Sequence, residues 1–161
     1  MGYIVEQCRK CNIWGVDMKF KERLEELLKE NGLNRLKLAN KIGVTSTTIN
    51  GYFNDNYYPR IDIAVKMARE FNCSLDYLFG LDDDNFDGFV LNNENTFIEN
   101  FDHLLKQNHL AIANALKQMN LGEYDYYRWK KGMFPKTTNL IVIANFFGVS
   151  LDMLVGATLK N

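Results

Sequence analysis

The stretch LANKIGVTSTTINGY, residues 38–52, decides the fold of this chain. It predicts two short helices joined by a tight turn, because Gly43 can supply the positive φ angle that such a turn requires. Ala39 is expected to face the crossing between the two helices, where a larger side chain would push them apart. The positions expected to be buried between this pair and its neighbours are Leu38, Val44, Ile49 and Tyr52.

Helical patterns flank this pair on both sides. From Met18 the residues Phe20, Leu24, Leu27 and Leu28 follow the i, i+4, i+7, i+8 spacing of one apolar helical face. This first helix is expected to end near Asn31-Gly32. Four more helices are predicted. Asn34 caps the second, and the third starts at Thr45 or Ser46 and runs to about Asn54. Pro59 opens the fourth, and Ser74 caps the fifth.

The end of this region occurs twice in the chain. Residues 74–80, SLDYLFG, return seventy-six positions later as residues 150–156, SLDMLVG. Upstream, after a slip of one residue, Tyr52 aligns with Trp129. A repeat of about sixty residues is a whole domain rather than a solenoid unit. With no strand pattern, the sequence predicts an all-α protein of two tandem five-helix domains.

The first domain, residues 18–80, resembles the lambda-repressor-like helix-turn-helix family, also called the xenobiotic-response-element family. The resemblance rests on Leu38-Ala39, Gly43-Val44-Thr45, Ile49, Tyr52, Pro59, Ala68 and the ending Ser74-Leu75-Asp76-Tyr77-Leu78. It implies that the third helix enters the DNA major groove with its N-terminal residues toward the base edges. We therefore expect a repressor-like regulator that binds double-stranded DNA, as a homodimer on half-sites about one helical turn apart.

The polar residues of the third helix suit this role. Those expected to face the bases are Ser46, Thr47, Asn50 and Gly51, with Thr45 and Thr48 beside them. An Asn side chain pairs with the N6 and N7 edge of adenine, and a Thr side chain offers a hydroxyl to a base or a methyl group to thymine. The phosphates are expected to be held by Thr45, Asn54, Lys37, Lys41 and Arg60, assisted by amides at helix N-termini.

The second domain, residues 96–157, departs from the first at the same turn. Leu116 replaces the alanine, Asn120 the turn glycine, and Tyr126 the branched core residue. Asn tolerates the left-handed conformation, but extra volume at a helix crossing must displace a neighbour. The exposed positions of its third helix are Glu123, Tyr124, Tyr127 and Arg128, followed by Lys130 and Lys131. This set predicts either a second DNA contact or a surface for a protein partner.

An acidic linker, residues 81–95, separates the two domains. It holds Asp82, Asp83, Asp84, Asp87 and Glu94 and no basic residue. Five of its residues also match places of an EF-hand calcium loop: Asp83, Asn85, Asp87, Gly88 and Glu94. Such a match arises by accident in a segment rich in Asp and Asn, and the sequence has no second loop to pair with it. We therefore predict no metal; calcium binding by Asp83, Asn85, Asp87 and Glu94 is the alternative, which a calcium titration would test.

The first seventeen residues are expected to be an extension outside the fold. Cys8 and Cys11 form half of a zinc knuckle, but both histidines of the chain lie far away. Trp14-Gly15 must be encoded by a purine-rich sequence just before the ATG of Met18, so we expect translation to start at Met18. A real N-terminal extension is the alternative. The three cysteines and the N-terminal composition favour a reducing cytoplasm.

The near-neutral charge of the chain favours sequence-specific over nonspecific DNA binding. Strong nonspecific binding usually accompanies a basic protein, whereas the formal net charge here is −1. A sequence-specific transcriptional regulator is therefore the first hypothesis. The alternative is an antitoxin-like or adaptor protein whose second domain binds a protein partner. The sequence offers neither a phosphate-cradling glycine loop nor a nucleophile with its base, so we expect no enzyme, no cofactor and no membrane contact.

Overall fold

The computed structural model describes residues 13–54, 57–83 and 96–156, with side chains from Lys19 onward. Within these residues the regular secondary structure is helical and contains no strand, so the predicted all-α class is confirmed. The chain divides into two compact units, one spanning Asn12–Val90 and one including Leu91–Asn161. None of the helices in the described ranges is long and apolar enough to cross a bilayer.

The first unit contains five helices in its described residues. They are α1 (Ile13–Glu30), α2 (Arg35–Ile42), α3 (Ser46–Asn54), α4 (Ile61–Phe71) and α5 (Leu75–Leu78). α1 begins at Ile13, before the boundary predicted at Met18. The prediction that Pro59 opens α4 was wrong, because Arg60, with an extended ψ of 152°, is the N-cap residue. The buried proline belongs to the extended segment that leads into the helix.

α1 supplies the centre of the first unit's core. Phe20 and Leu24 are completely buried. The Phe20 ring stacks on the Phe79 ring with centroids 5.3 Å apart, and its centroid lies 6.3 Å from that of Tyr52 in an edge contact. Burying a large apolar side chain contributes about 1.5–3 kcal/mol to folding. These contacts position α1 against α3 and against the residue that follows α5.

Local hydrogen bonds set the ends of α2 and α3. Asn34 Oδ1 accepts from the Lys37 amide at 2.8 Å. Gly43 ends α2 in the left-handed conformation, with φ 73°. At the start of α3, Thr45 Oγ1 accepts from the Thr48 amide at 3.2 Å. The predicted caps and the predicted positive φ at the turn are confirmed.

The second unit contains five helices in its described residues. They are α6 (Phe97–Gln107), α7 (Ile112–Gln118), α8 (Glu123–Lys130), α9 (Thr137–Phe147) and α10 (Leu151–Val155). α6 begins with a capping box in which the Thr96 amide donates to Glu99 Oε2 at 2.7 Å. This hydrogen bond from Thr96 holds the pKa of the Glu99 carboxyl below its usual value. Asn120, between α7 and α8, has a φ of 55°, as its left-handed tolerance predicted.

Each unit links its first helix to its last by a different polar side chain. In the first unit, Arg23 Nη1 donates to the Tyr77 hydroxyl at 3.0 Å, and its guanidinium carbon lies 4.0 Å from the Tyr77 ring centroid. In the second unit, Asn100 Nδ2 donates to the carbonyl oxygens of Met153 and Leu154 at 3.0 and 3.2 Å. Asn100 is almost fully buried, so its amide requires these acceptors.

Candidate nucleic-acid interface

α2 and α3 form the tight pair predicted from residues 38–52. Ala39 on α2 and Ile49 on α3 are completely buried, and Tyr52 is nearly so. Across the turn the Val44 amide donates to the Ala39 carbonyl oxygen at 2.9 Å. Val44 itself is half-buried, where we expected it to be buried. The small residue at position 39 lets the two helices lie close together.

The outer face of α3 is polar and uncharged. Thr47 and Asn54 are exposed, while Ser46, Thr48, Asn50 and Gly51 are half-buried. No Lys, Arg, Asp or Glu lies between Ser46 and Asn54. Base contacts from this face would therefore use hydroxyl, methyl and amide groups, and Gly51 would allow a close approach of the backbone.

Two threonine side chains order the start of α3. Thr45 Oγ1 and Thr48 Oγ1 are hydrogen-bonded to each other at 2.9 Å, in addition to the cap on the Thr48 amide. Each hydroxyl therefore has a partner within the protein; when Thr48 donates to Thr45, the proton of the Thr45 hydroxyl is left to bind a phosphate. Thr47 lies on the exposed side of the same turn. Of the three threonines, Thr47 is the best placed to contact a base.

Arg35, at the start of α2, contacts the candidate interface and was not predicted from the sequence. Its Nη1 makes a long hydrogen bond of 3.5 Å to Asn50 Oδ1. Its guanidinium carbon lies 3.7 Å from the centroid of the Phe53 ring, and Nη2 lies 3.7 Å from Glu25 Oε1. Arg35 of α2 thereby lies beside the Asn50 amide oxygen of α3. In the sequence, the only sign of a role for Arg35 is a positive charge at the start of a helix. The contact between Arg35 and Asn50 depends on how α2 and α3 cross.

The three lysine and arginine residues predicted to hold phosphates are all exposed. Lys37 lies on α2. Lys41 pairs with Glu70 of α4, and Arg60 Nε lies 3.2 Å from Asp62 Oδ1. Exposed ion pairs of this kind contribute little to stability, so DNA phosphates can replace the carboxylates as partners of Lys41 and Arg60.

Tyr52 is a neutral phenol on the buried side of α3. Burial raises the pKa of its hydroxyl above the ordinary value, Asp62 adds to the rise, and Arg60 opposes it. The side chain is therefore uncharged at neutral pH. It adds no negative charge beside the face on which DNA phosphates would lie.

α8 of the second unit presents a different surface from α3. Tyr124 and Tyr127 are 75% and 62% exposed. Glu123 and Asp125 lie in the first turn, and no side chain caps the helix at Gly122. Two carboxylates there would repel phosphates. The basic residues at the other end are exposed as well: Arg128, Lys130 and Lys131.

Leu116 and Tyr126 of the second unit differ in how deeply they are buried. Leu116 is buried, whereas Tyr126 is half-buried and its hydroxyl donates to Asp102 Oδ1 at 2.9 Å. Lys130 Nζ lies 3.6 Å from the same carboxylate. Burial and the hydrogen bond to Asp102 raise the pKa of the Tyr126 hydroxyl, and a hydrogen bond with Tyr126 raises the pKa of Lys130. The Tyr126 side chain thus lies in a polar cluster with Asp102 and Lys130, and its displacement by Leu116 stays a prediction.

Arg128 is held along the surface of α8. Its Nε donates to Met133 Sδ at 3.4 Å, and its guanidinium carbon lies 6.0 Å from the Tyr124 ring centroid. Met133 and Phe134, in the turn after α8, are also exposed. A cavity of about 290 Å³ opens beside Arg128, Trp129 and Phe134. This side of the second unit is aromatic rather than a basic groove.

Most of the residues considered as metal ligands lie outside the described ranges: Cys8, Cys11, Asn85, Asp87 and Glu94. Asp83 is described, and its Oδ1 lies 3.1 Å from Arg23 Nη2. In the described ranges no group of His, Cys, Asp and Glu is placed to hold a metal ion. Cys73 is completely buried, as expected of a small apolar residue.

Comparison with known proteins places α1 to α5 in a family. Residues 24–78 match the family model described as helix-turn-helix. The HTH-type transcriptional regulator YobD of Bacillus subtilis is 38% identical over 63 residues, which are 39% of this chain and 56% of that protein. An HTH-type transcriptional regulator of Rickettsia prowazekii is 37% identical over 62 residues, 36% of this chain and 67% of that protein.

A third relative is covered over most of its length. An HTH-type transcriptional regulator of Archaeoglobus fulgidus is 36% identical over 62 residues, which are 38% of this chain and 89% of that protein. By contrast, this chain spans little more than half of the Bacillus relative. No solved structure matches the chain.

Proposed function

Because the chain belongs to the helix-turn-helix family, we propose that it is a repressor-like transcriptional regulator that binds specific DNA sequences. The observation that carries this proposal is the α2–α3 pair. Ala39 and Gly43 permit a close crossing and a tight turn, and α3 presents polar, uncharged residues on its outer face. This arrangement suits a helix that enters the major groove.

In this proposal Thr47 and Asn50 point toward base edges. The Asn50 amide, which lies beside Arg35, pairs with adenine, and Thr47 contacts a neighbouring base through its hydroxyl or its methyl group. Ser46 and Gly51 lie beside them and allow close approach. The phosphates are held by Thr45, Asn54, Lys37, Lys41 and Arg60, which fix the position of the protein without carrying sequence information. Occupation of a promoter in this way would block transcription.

We assign the second unit, residues 96–157, as a divergent copy of the first. Support comes from the left-handed Asn120 at the turn that corresponds to Gly43. Ser74 and Ser150 also cap α5 and α10 in the same way, accepting amide hydrogen bonds at 3.0 and 3.1 Å. Only the first copy presents an uncharged face for base contacts. We therefore place DNA recognition in residues 18–80, within a homodimer that binds two half-sites.

An adaptor or antitoxin-like protein is the second candidate function. The exposed tyrosines of α8 favour it, because aromatic residues are enriched at protein interfaces. In that case the first unit binds DNA and the second unit holds a different protein. Both functions would operate in the cytoplasm and without catalysis or a cofactor.

Selection of bound sequences from a random DNA pool tests the proposal. One half-site motif per chain is expected. Two unlike motifs at a fixed spacing would show that both units bind DNA. Failure to enrich any sequence would reject the sequence-specific regulator.

Substitutions on α3 test the assigned base contacts. Asn50→Ala and Thr47→Ala are each expected to weaken binding to the selected site by about 1–3 kcal/mol, measured by fluorescence anisotropy. Asn114→Ala, which removes an exposed asparagine of α7, is the matched control and should leave the affinity unchanged. Wild-type affinity of the two α3 variants would refute their role in base contacts.

A further inference from the structure

Large apolar side chains are exposed together on α8 and in the turn that follows it. Tyr124 and Tyr127 are 75% and 62% exposed, and Met133 and Phe134 are 48% and 47% exposed. Single exposed hydrophobic residues are common, but a contiguous group of aromatic residues with Met and Arg is typical of a protein interface. We call the side of the helix that carries Glu123, Tyr124, Tyr127 and Arg128 the α8 face.

The α8 face is a continuous stripe along the helix, and packing of the opposite side of α8 into the core turns this stripe outward. With 3.6 residues per turn, its four positions span about 140° of the helix surface. The two tyrosines lie in the middle of this stripe, between Glu123 on one edge and Arg128 on the other. Trp129 lies on the opposite side of the helix and is 4% exposed. Burial of Trp129 therefore turns the tyrosines outward.

The charges along α8 match a second copy of α8 that runs in the opposite direction. The acids Glu123 and Asp125 lie in the first turn, and the bases Arg128 and Lys130 lie in the last. When two copies pack antiparallel about a two-fold axis, the acidic turn of each lies beside the basic turn of the other.

The same packing brings polar and aromatic groups together at its centre. The tyrosines of both copies meet, with each Tyr127 beside the partner's Glu123 and each Arg128 beside the partner's Tyr124. A phenol donates a charge-assisted hydrogen bond to a carboxylate, and a guanidinium is attracted to an aromatic ring.

We propose that the α8 face is the dimer interface of this protein and that its occupant is the α8 face of a second copy. DNA is a poor occupant, because Glu123 and Asp125 would meet phosphates and Arg128 is held by Met133. The inference rests on the two-fold homodimer of the proposed function and names its contact surface. The face is small, so the free dimer should dissociate at about micromolar concentration.

Sedimentation velocity of the full chain without DNA, at about 1–200 µM, tests this interface. A reversible monomer–dimer equilibrium is expected for the wild type. Combined Tyr124→Ala and Tyr127→Ala should raise the dissociation constant by about a hundredfold or more, since tyrosines at the centre of an interface carry much of its affinity. Tyr57→Ala removes a tyrosine that is 65% exposed in the first unit and is the matched control. A monomeric wild type, or a dimer that survives the loss of both tyrosines, would overturn the proposal.

Charge reversal tests the antiparallel arrangement. Glu123→Lys in one variant, and Arg128→Glu in another, should each weaken the homodimer by about tenfold or more, because like charges meet twice across the two-fold axis. Mixed in equal amounts, the two variants should form a heterodimer as stable as the wild type. Circular dichroism checks that each variant is folded.

The outcomes separate this inference from the DNA-binding proposal. Persistence of both charge-reversed homodimers, or failure of the mixed variants to pair, would overturn the antiparallel interface. A dimer that behaves as expected but enriches no DNA sequence would reject the regulator and leave the interface standing.

Discussion

Replacing Ala39 by leucine should force apart the two helices that form the proposed DNA-binding surface. Ala39 and Ile49 are both completely buried. A hydrogen bond of 2.9 Å from the Val44 amide to the Ala39 carbonyl oxygen closes the turn between α2 and α3. Overpacking a buried site costs about 1–3 kcal/mol. We expect the upper part of this range.

The second unit shows why the cost should be high. In the proposed second copy the equivalent positions hold Leu116 and Tyr126, and Tyr126 is half-buried with its hydroxyl 2.9 Å from Asp102 Oδ1. Ile49 has no polar group that could reach solvent or a carboxylate. An outward shift of Ile49 would therefore expose an apolar side chain, which opposes the shift by a further transfer cost.

Urea unfolding followed by circular dichroism measures the free energy of unfolding of Ala39→Leu. Because a chain of two units need not unfold in one step, hydrogen exchange of α2 and α3 should be measured as well, to assign the loss to the first unit. Affinity for the selected DNA site should fall in parallel, since α3 is displaced.

The reverse change in the second unit is the control. Leu116→Ala should destabilise that unit by about 2–5 kcal/mol and leave the exchange rates of α2 and α3 unchanged. If Ala39→Leu keeps wild-type exchange rates in α2 and α3, the crossing is not tightly packed and the reasoning fails.

The turn glycine, a helix cap and a phosphate contact provide three more tests. Gly43→Ala should cost about 1–2 kcal/mol, because an added Cβ would meet no atom within 4 Å and only the left-handed backbone opposes it. Gly43→Asn should cost less, and urea titration would contradict this if the two costs were equal. The lowered pKa of Glu99 means that its stabilising contribution is present above the unfolded-state pKa and is lost as pH falls through the folded-state pKa. The thermal midpoint of Glu99→Gln should therefore change less than that of the wild type between about pH 7 and about pH 3; an equal change would argue against the cap. Lys41→Ala should lower affinity for all DNA sequences about equally and reduce the salt slope by about 1. A loss confined to the selected site would instead make Lys41 a base contact.

The elements that the sequence predicted well depend on residues close together in the chain. Asn34, Thr45 and Ser74 each cap a helix by bonding to an amide three residues ahead. Gly43 takes the left-handed conformation because the residue type itself permits it. The start of α4 was predicted wrongly, since the fixed φ of Pro59 is compatible both with a first helical turn and with the extended segment that precedes the helix.

The candidate site was predicted less completely, because part of it depends on contacts between helices. The spacing between Arg35 and Asn50 does not show that the two side chains meet, and the contact of Arg128 with Met133 depends on how the chain turns after α8. The expectation that the larger residues at Leu116 and Tyr126 displace a neighbour stays a prediction. The hydrogen bond between Tyr126 and Asp102 depends on how α6 and α8 pack, so it required the structure.

The sequence by itself determined the helical class, the turn between α2 and α3, and the polar, uncharged character of α3. These properties follow from the side-chain volume, the backbone preference and the charge of each residue, which do not depend on tertiary contacts. Tertiary structure alone decided that Arg35 meets Asn50, that Tyr126 turns to Asp102, and that Trp129 is buried while Tyr124 and Tyr127 face outward. These outcomes depend on how helices cross and which side of each helix is buried, and packing between distant parts of the chain sets both.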